Sequence, residues 1–191
     1  MEELAKANGA MEVRVARDAA EAAQLATARR SAFSALARLA PTTILEDATV
    51  PRSELAHMIR FVAEVAKKHE LKIGTFGHMG DGNLHPTFLT DERNEAEIHR
   101  VHEAFKEIFD EAIRLGGTIT GEHGIGADKA CHMPKMFTAG DLETMQFVRA
   151  SFDPGQLCNP DKLFPTPRLC GEVPGPYRAH PTEIAGLADR V

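Results

Sequence analysis

The stretch from Leu71 to Leu89 (LKIGTFGH, then MGDG, then NLHPTFL) constrains this chain more than any other segment. Two strand-like runs enclose a Gly/Asp turn, which is the pattern of a β-hairpin. A hairpin alone is marginal in water and needs further strands or helices over one face. The flanking segments supply both. Residues from Ser53, a predicted cap, to about His69 carry Leu55, Ile59, Val62 and Ala66 on one helical stripe. From Asp91 to Leu115, Ile98, Val101, Phe105, Ile108, Ala112 and Leu115 recur at helical spacing, and Gly116-Gly117 ends the run. An Ala-rich helix is expected from Asp18, its cap, to Leu39, stopped ahead of Pro41. Residues 11–16 (MEVRVA), 42–50 (TTILEDATV) and 118–120 (TIT) read as extended, and Asp141 to Ser151 reads as a helix. From Asp153 onward the chain is rich in proline and glycine and is expected to run extended. This order predicts an α+β fold, an antiparallel sheet with helices packed on one face.

Several function classes are excluded early. The 191 residues are enough for one domain with a proper core, and 43% hydrophobic with 26% charged residues is a globular composition. The balance of 22 basic against 28 acidic residues gives −6, with one Tyr and no Trp. A nucleic-acid binder would show a basic stripe and stacking aromatics, so none is expected. No apolar run reaches membrane-spanning length, and the N-terminus lacks a signal-peptide core. Cys131, Cys158 and Cys170 are odd in number and form no CxxC pair, which predicts a reducing compartment, by default the cytoplasm.

The chemistry concentrates in two places. His78-Met79-Gly80-Asp81-Gly82-Asn83-Leu84-His85 sets two histidines on adjacent strands around the turn, where both imidazoles can face one point. Asp81 is a candidate to orient one of them. Gly121-Glu122-His123-Gly124-Ile125-Gly126 is the second place; read as extended, it would send Glu122 and His123 to opposite sides. Its glycine spacing is not that of a dinucleotide fingerprint. Each motif alone reads equally well as a plain hairpin or a glycine-rich turn. Together, two histidines and one glutamate make a three-donor set with an open position, as catalytic metal centres require, with His123 left over as a base.

GHMGDGNLHP, GGTITGEHGIG and FDPGQLCNPDKLFP occur in that order, and the chain resembles the C-terminal domain of FAD-linked oxidases from about residue 10 to about residue 165. More narrowly, it is similar to the FAD-linked glycolate oxidase, D-lactate dehydrogenase and D-2-hydroxyglutarate dehydrogenase types. The resemblance implies a ferredoxin-like cap domain over residues 1–165, incomplete at its start, followed by a Pro/Gly-rich tail over 166–191. It also implies a divalent metal (Zn, Mn or Fe) on His78, His85 and Glu122, and His123 as the base that takes a hydroxyl proton. Arg30 falls on the arginine that grips a substrate carboxylate, with Arg29 the alternative after a one-residue shift. Asn159 falls on an asparagine near the flavin. The expected reaction oxidises a small 2-hydroxy acid to a 2-oxo acid with hydride transfer to FAD. The FAD would sit in a domain or subunit absent from this chain, so the isolated chain is expected to be inactive; the electron acceptor is left open, and a homo-oligomer is possible. Met79 and Cys158 depart from the family pattern. So do Leu45 and Thr87, which stand where the hydroxyglutarate branch has a lysine and an asparagine, and this favours a small monocarboxylate. Two rival readings are a metal-dependent hydrolase or lyase on the same three donors, and a non-catalytic assembly module.

Overall fold

The computed structural model describes residues 2–160 and 162–164; the expected tail over 166–191, with Cys170, lies outside the described residues. The elements in chain order are α1 (Glu2–Ala7), α2 (Ala19–Leu36), β1 (Thr42–Leu45), β2 (Ala48–Thr49), α3 (Leu55–Lys68), β3 (Lys72–His78), β4 (Asn83–Thr90), α4 (Glu95–Arg114), α5 (Met133–Met136) and α6 (Ala139–Phe152). This is the expected mixture of helices and an antiparallel sheet. The hairpin forms where the apolar runs predict it, with β3 and β4 in register from Lys72↔Leu89 to His78↔Asn83. On its other edge β4 pairs antiparallel with β1 and then with β2.

Side chains alternate across a strand, so β4 has two faces with different partners. Leu84 and Phe88 are fully buried in one cluster with Met58 and Val62 of α3 and Val101, Phe105 and Ile108 of α4. The Phe88 and Phe105 rings meet edge to face at 4.9 Å. The opposite face carries Asn83, His85 and Thr87, with His78 and Phe76 of β3 beside them by register. Helix α2 reaches this second face at Gly74, where an added Cβ would lie 2.5 Å from Leu36 Cδ2. None of the 18 residues of α2 is buried.

Pro86 lies within β4 and has no N–H to give to a ladder. The neighbouring strand is broken beside it into β1, ending Leu45↔Thr87, and β2, starting Ala48↔Leu84. Continuing that register puts Asp47, in the break, opposite His85.

The local expectations fared unevenly. Asp18 caps α2, its carboxylate accepting from Glu21 N at 2.8 Å. Ser53 does not cap α3; a 3-10 turn over Arg52–Glu54, entered from Pro51, starts it instead. The buried stripe of α3 is Met58, Val62, Val65 and Ala66, and Ile59 is exposed. Two apolar stripes exist on this helix, and contact with α4 selects between them. Helix α4 begins at Glu95 under an Asn94 cap rather than at Asp91, whose carboxylate binds Arg93 instead. Residues 11–16 form no strand, and Met11 and Val15 are exposed. Thr118 contributes an isolated bridge to Thr49 rather than a strand. Phe33, Phe147 and Phe152 are exposed, so only part of the phenylalanine set is core.

His132 is buried against the Phe109 ring at 5.1 Å, and its Nδ1 has no hydrogen-bond partner among the described residues. Burial, helped by the Lys135 charge, pushes its pKa down to about 4 from 6.5. The folded-state pKa is the lower one, so the unfolded chain binds more protons between these values. Stability contributed by neutral His132 is therefore complete above pH 6.5 and is lost progressively as pH falls to about 4. Urea titrations across this window should show a decline that is reduced in a His132→Phe variant; equal slopes would refute the assignment.

Candidate metal centre

Strand alternation and the hairpin register bring the first two site residues together. His78 ends β3 and His85 lies two positions into β4 from Asn83, the cross-strand partner of His78. Their rings meet edge to face at 5.3 Å between centroids. Gly82 closes the turn with φ of +77°, and an added Cβ would strike Val50 O at 2.1 Å, so this position admits only glycine. Asp81 is exposed at the tip, and its N–H donates to His78 O. The His85 Nδ1 is buried without a hydrogen-bond partner among the described residues, so Asp81 does not orient that histidine.

The glycine-rich segment arrives from the end of α4. It is a compact turn, not the expected extended piece, and its side chains consequently fall on one side. Glu122 Oε1 lies 2.9 Å from His85 Nε2 and 3.3 Å from His78 Nε2. His123 Nε2 lies 3.8 Å from the same oxygen, and the His123 ring stacks on His85 at 5.0 Å with only 10° between planes. One donor atom from each of His78, His85 and Glu122 falls within 4.8 Å of the others.

The two distances from Glu122 Oε1 suit a shared cation, and the remaining pair of donors, within 4.8 Å, would draw together around it. Metal–nitrogen and metal–oxygen bonds of roughly 2.1 Å put neighbouring donors about 3 to 3.5 Å apart. Two imidazoles and a carboxylate form a borderline set compatible with zinc, manganese or iron. Burial lowers the pKa of His85 and outweighs the Glu122 carboxylate, which acts the other way; the neighbouring imidazoles of His123 and His78 add to the depression. A neutral imidazole is the form that ligates. The residues fit the group.

What sequence reasoning missed lies behind the turn. Asp47 is fully buried, and its Oδ2 accepts the backbone N–H groups of Gly121 (2.7 Å), Glu122 (2.7 Å) and His123 (3.1 Å). Its Oδ1 accepts from Lys129 Nζ at 2.6 Å, and Lys129 is itself buried, with Glu46 2.8 Å away on another side. Burial works to raise the Asp47 pKa, but the donors from Glu122, Lys129 and His123 prevail and hold it far below the usual carboxylate range. The acidic pair in EDATVP was the one available signal, and no periodicity ties Glu46-Asp47 to residues more than seventy positions on.

Two expected site residues stand apart from this cluster. The Arg30 guanidinium donates to Thr27 Oγ1 on its own helix at 3.1 Å and is exposed. Its neighbour Arg29 lies over the Phe76 ring, 5.7 Å from the centroid, on the sheet face that carries His78 and His85. Asn159 has φ of +46° and lines a cavity of about 690 Å³ with Gly126, Asp128, Arg149, Phe152 and Lys162. Arg149 fixes that wall by donating to the carbonyls of Cys158, Asn159 and Lys162. Gly126 ends the same turn that carries Glu122, and its carbonyl accepts from Leu163 N.

A family model described as FAD linked oxidases, C-terminal domain, matches residues 1–163, and the chain belongs to this family. The glycolate oxidase subunit GlcD of Bacillus subtilis is 52% identical over 164 residues, covering 86% of this chain and 35% of the relative. GlcD of Escherichia coli K12 is 37% identical over the same share of this chain and 33% of its own length. A D-lactate dehydrogenase of Anaerostipes hadrus is 30% identical over 127 residues, 65% of this chain and 27% of the relative. The chain thus spans about a third of the length of the curated relatives it matches. Among the described residues no helix is long and apolar enough to cross a membrane.

Proposed function

We propose that this chain is the substrate- and metal-binding portion of a flavin-dependent 2-hydroxy-acid dehydrogenase acting on glycolate, D-lactate or a similarly small acid. The observation that carries the reading is the meeting of His78, His85 and Glu122 beside the ring of His123. In this reading the FAD is held by a domain or subunit beyond these 191 residues, in the cytoplasm. When bound, the cation would acidify the substrate hydroxyl and the flavin would accept the C2 hydride.

The chain's own residues do the rest. His78, His85 and Glu122 hold the cation. His123, half-exposed beside them, accepts the hydroxyl proton at a ring nitrogen. An arginine fork fixes the substrate carboxylate. Arg29 is the better candidate for that role than Arg30, because it overlies Phe76, the cross-strand partner of His85. Asn159 borders the cavity proposed to face the flavin. Leu45 and Thr87 are cross-strand partners, two positions along β4 from His85. That uncharged pair offers no cation for a second carboxylate, which supports a small monocarboxylate substrate.

Cobalt-loaded chain tests this. Glycolate and D-lactate should perturb its visible spectrum more strongly than acetate and propionate, which lack the hydroxyl. An Arg29→Ala variant should weaken the response roughly tenfold or more, in line with loss of a charge-assisted bidentate contact, and Arg30→Ala much less. Equal responses to hydroxylated and plain acids would refute the substrate class.

A further inference from the structure

The carboxylate of Glu122 and the ring of His123 are both about half-exposed, so burial alone does not set where they point. Their main chain is set by Asp47. Three successive N–H groups and the Thr120 hydroxyl (3.2 Å) all reach one buried oxygen of that residue. Successive amides converging on an anion form a rigid concavity. A Cβ on Gly121 would lie 2.4 Å from Thr49 Oγ1, so the turn also presses directly on β2. The strand break beside Pro86 is what leaves Asp47 free of the ladder and opposite His85.

We propose that Asp47, neutralised by Lys129, is a positioning residue for the candidate metal centre: it fixes the Gly121–His123 turn so that Glu122 and His123 meet His85. The inference rests on the metal reading above. A buried ion pair adds little net stability over well-packed apolar side chains. An apolar pair, however, cannot gather backbone N–H groups. Asp47→Asn keeps the size but offers one oxygen: either the turn or Lys129 then faces an amide NH₂.

The test titrates the full 191-residue chain with Co²⁺, following affinity and visible bands below the melting temperature of every variant. Asp47→Asn should bind roughly 10- to 100-fold more weakly, the usual effect of losing a carboxylate behind a ligand, with altered bands. Glu46→Gln, which touches the same Lys129 but not the turn, should bind as the unaltered chain does. If Asp47→Asn melts lower yet keeps the parent affinity and spectrum, Asp47 serves the fold only and the inference is overturned. It is equally overturned if Glu46→Gln weakens binding to the same degree. Should Asp47→Asn not fold, Thr120→Val replaces it: this variant removes the hydroxyl that donates to Asp47 and accepts from Gly124 N. Several-fold weaker binding sustains the inference, and parent affinity overturns it. His85→Ala separates the two levels. If it binds like the parent, the metal reading falls and takes this inference with it; if it alone loses binding, only the positioning role falls.

Discussion

A His85→Ala variant is expected to lose its response to divalent metal altogether. A cation bound at 100 times its dissociation constant stabilises the folded state by about 2.7 kcal/mol. For a chain of this size that corresponds to a rise in Tm of roughly 5–10 °C. Zinc, manganese or ferrous iron added to the metal-stripped chain should produce such a rise, and His85→Ala should show none. The variant itself should fold, because His85 occupies the face of β4 opposite the Phe88 cluster. Removing it leaves the core intact and deletes the one buried donor of the three. Elemental analysis after desalting gives an independent reading: metal in the parent, none in the variant. Equal thermal shifts in both proteins would mean that the histidine and glutamate cluster is a hydrogen-bonded surface feature without an ion.

The second large effect concerns stability. Phe88→Ala should cost about 3–5 kcal/mol, the usual range for emptying a buried aromatic site, and lower Tm by roughly 10 °C. Phe88 is fully buried on the central strand and meets the Phe105 ring, so neighbours on α3, α4 and β4 all lose contact at once. Phe152→Ala is the control: Phe152 is 87% exposed, and surface truncations of this kind stay within about 0.5 kcal/mol. Comparable losses in urea denaturation for the two variants would show that the core is not centred on β4.

Much of this was legible beforehand, for reasons that differ by element. The hairpin, α4 and the Asp18 cap follow from local signals: alternation, a helical period, and an acidic residue ahead of an Ala-rich run. The failures were also local in origin. Residues 11–16 alternate like a strand, but alternation without pairing to another strand yields none. On α3 the apolar positions support two stripes, and Ile59 was assigned to the core where Met58 belongs. Reading 121–126 as extended separated Glu122 from His123, whereas the turn sets them side by side. The adjacent arginines were indistinguishable by motif; their directions from α2 differ, with Arg29 over Phe76 and Arg30 against Thr27.

By itself the sequence determined which side chains can do chemistry and the local geometry that pairs His78 with His85, because a strand–turn–strand register depends on neighbours along the chain. Only the tertiary structure decided that Glu122 and His123 join them and that Asp47 and Lys129 hold them there. The Asp47 contacts link residues more than seventy positions apart. Long-range contacts of that kind leave no period in the sequence; they exist because β2, β4 and the turn after α4 close around one buried carboxylate.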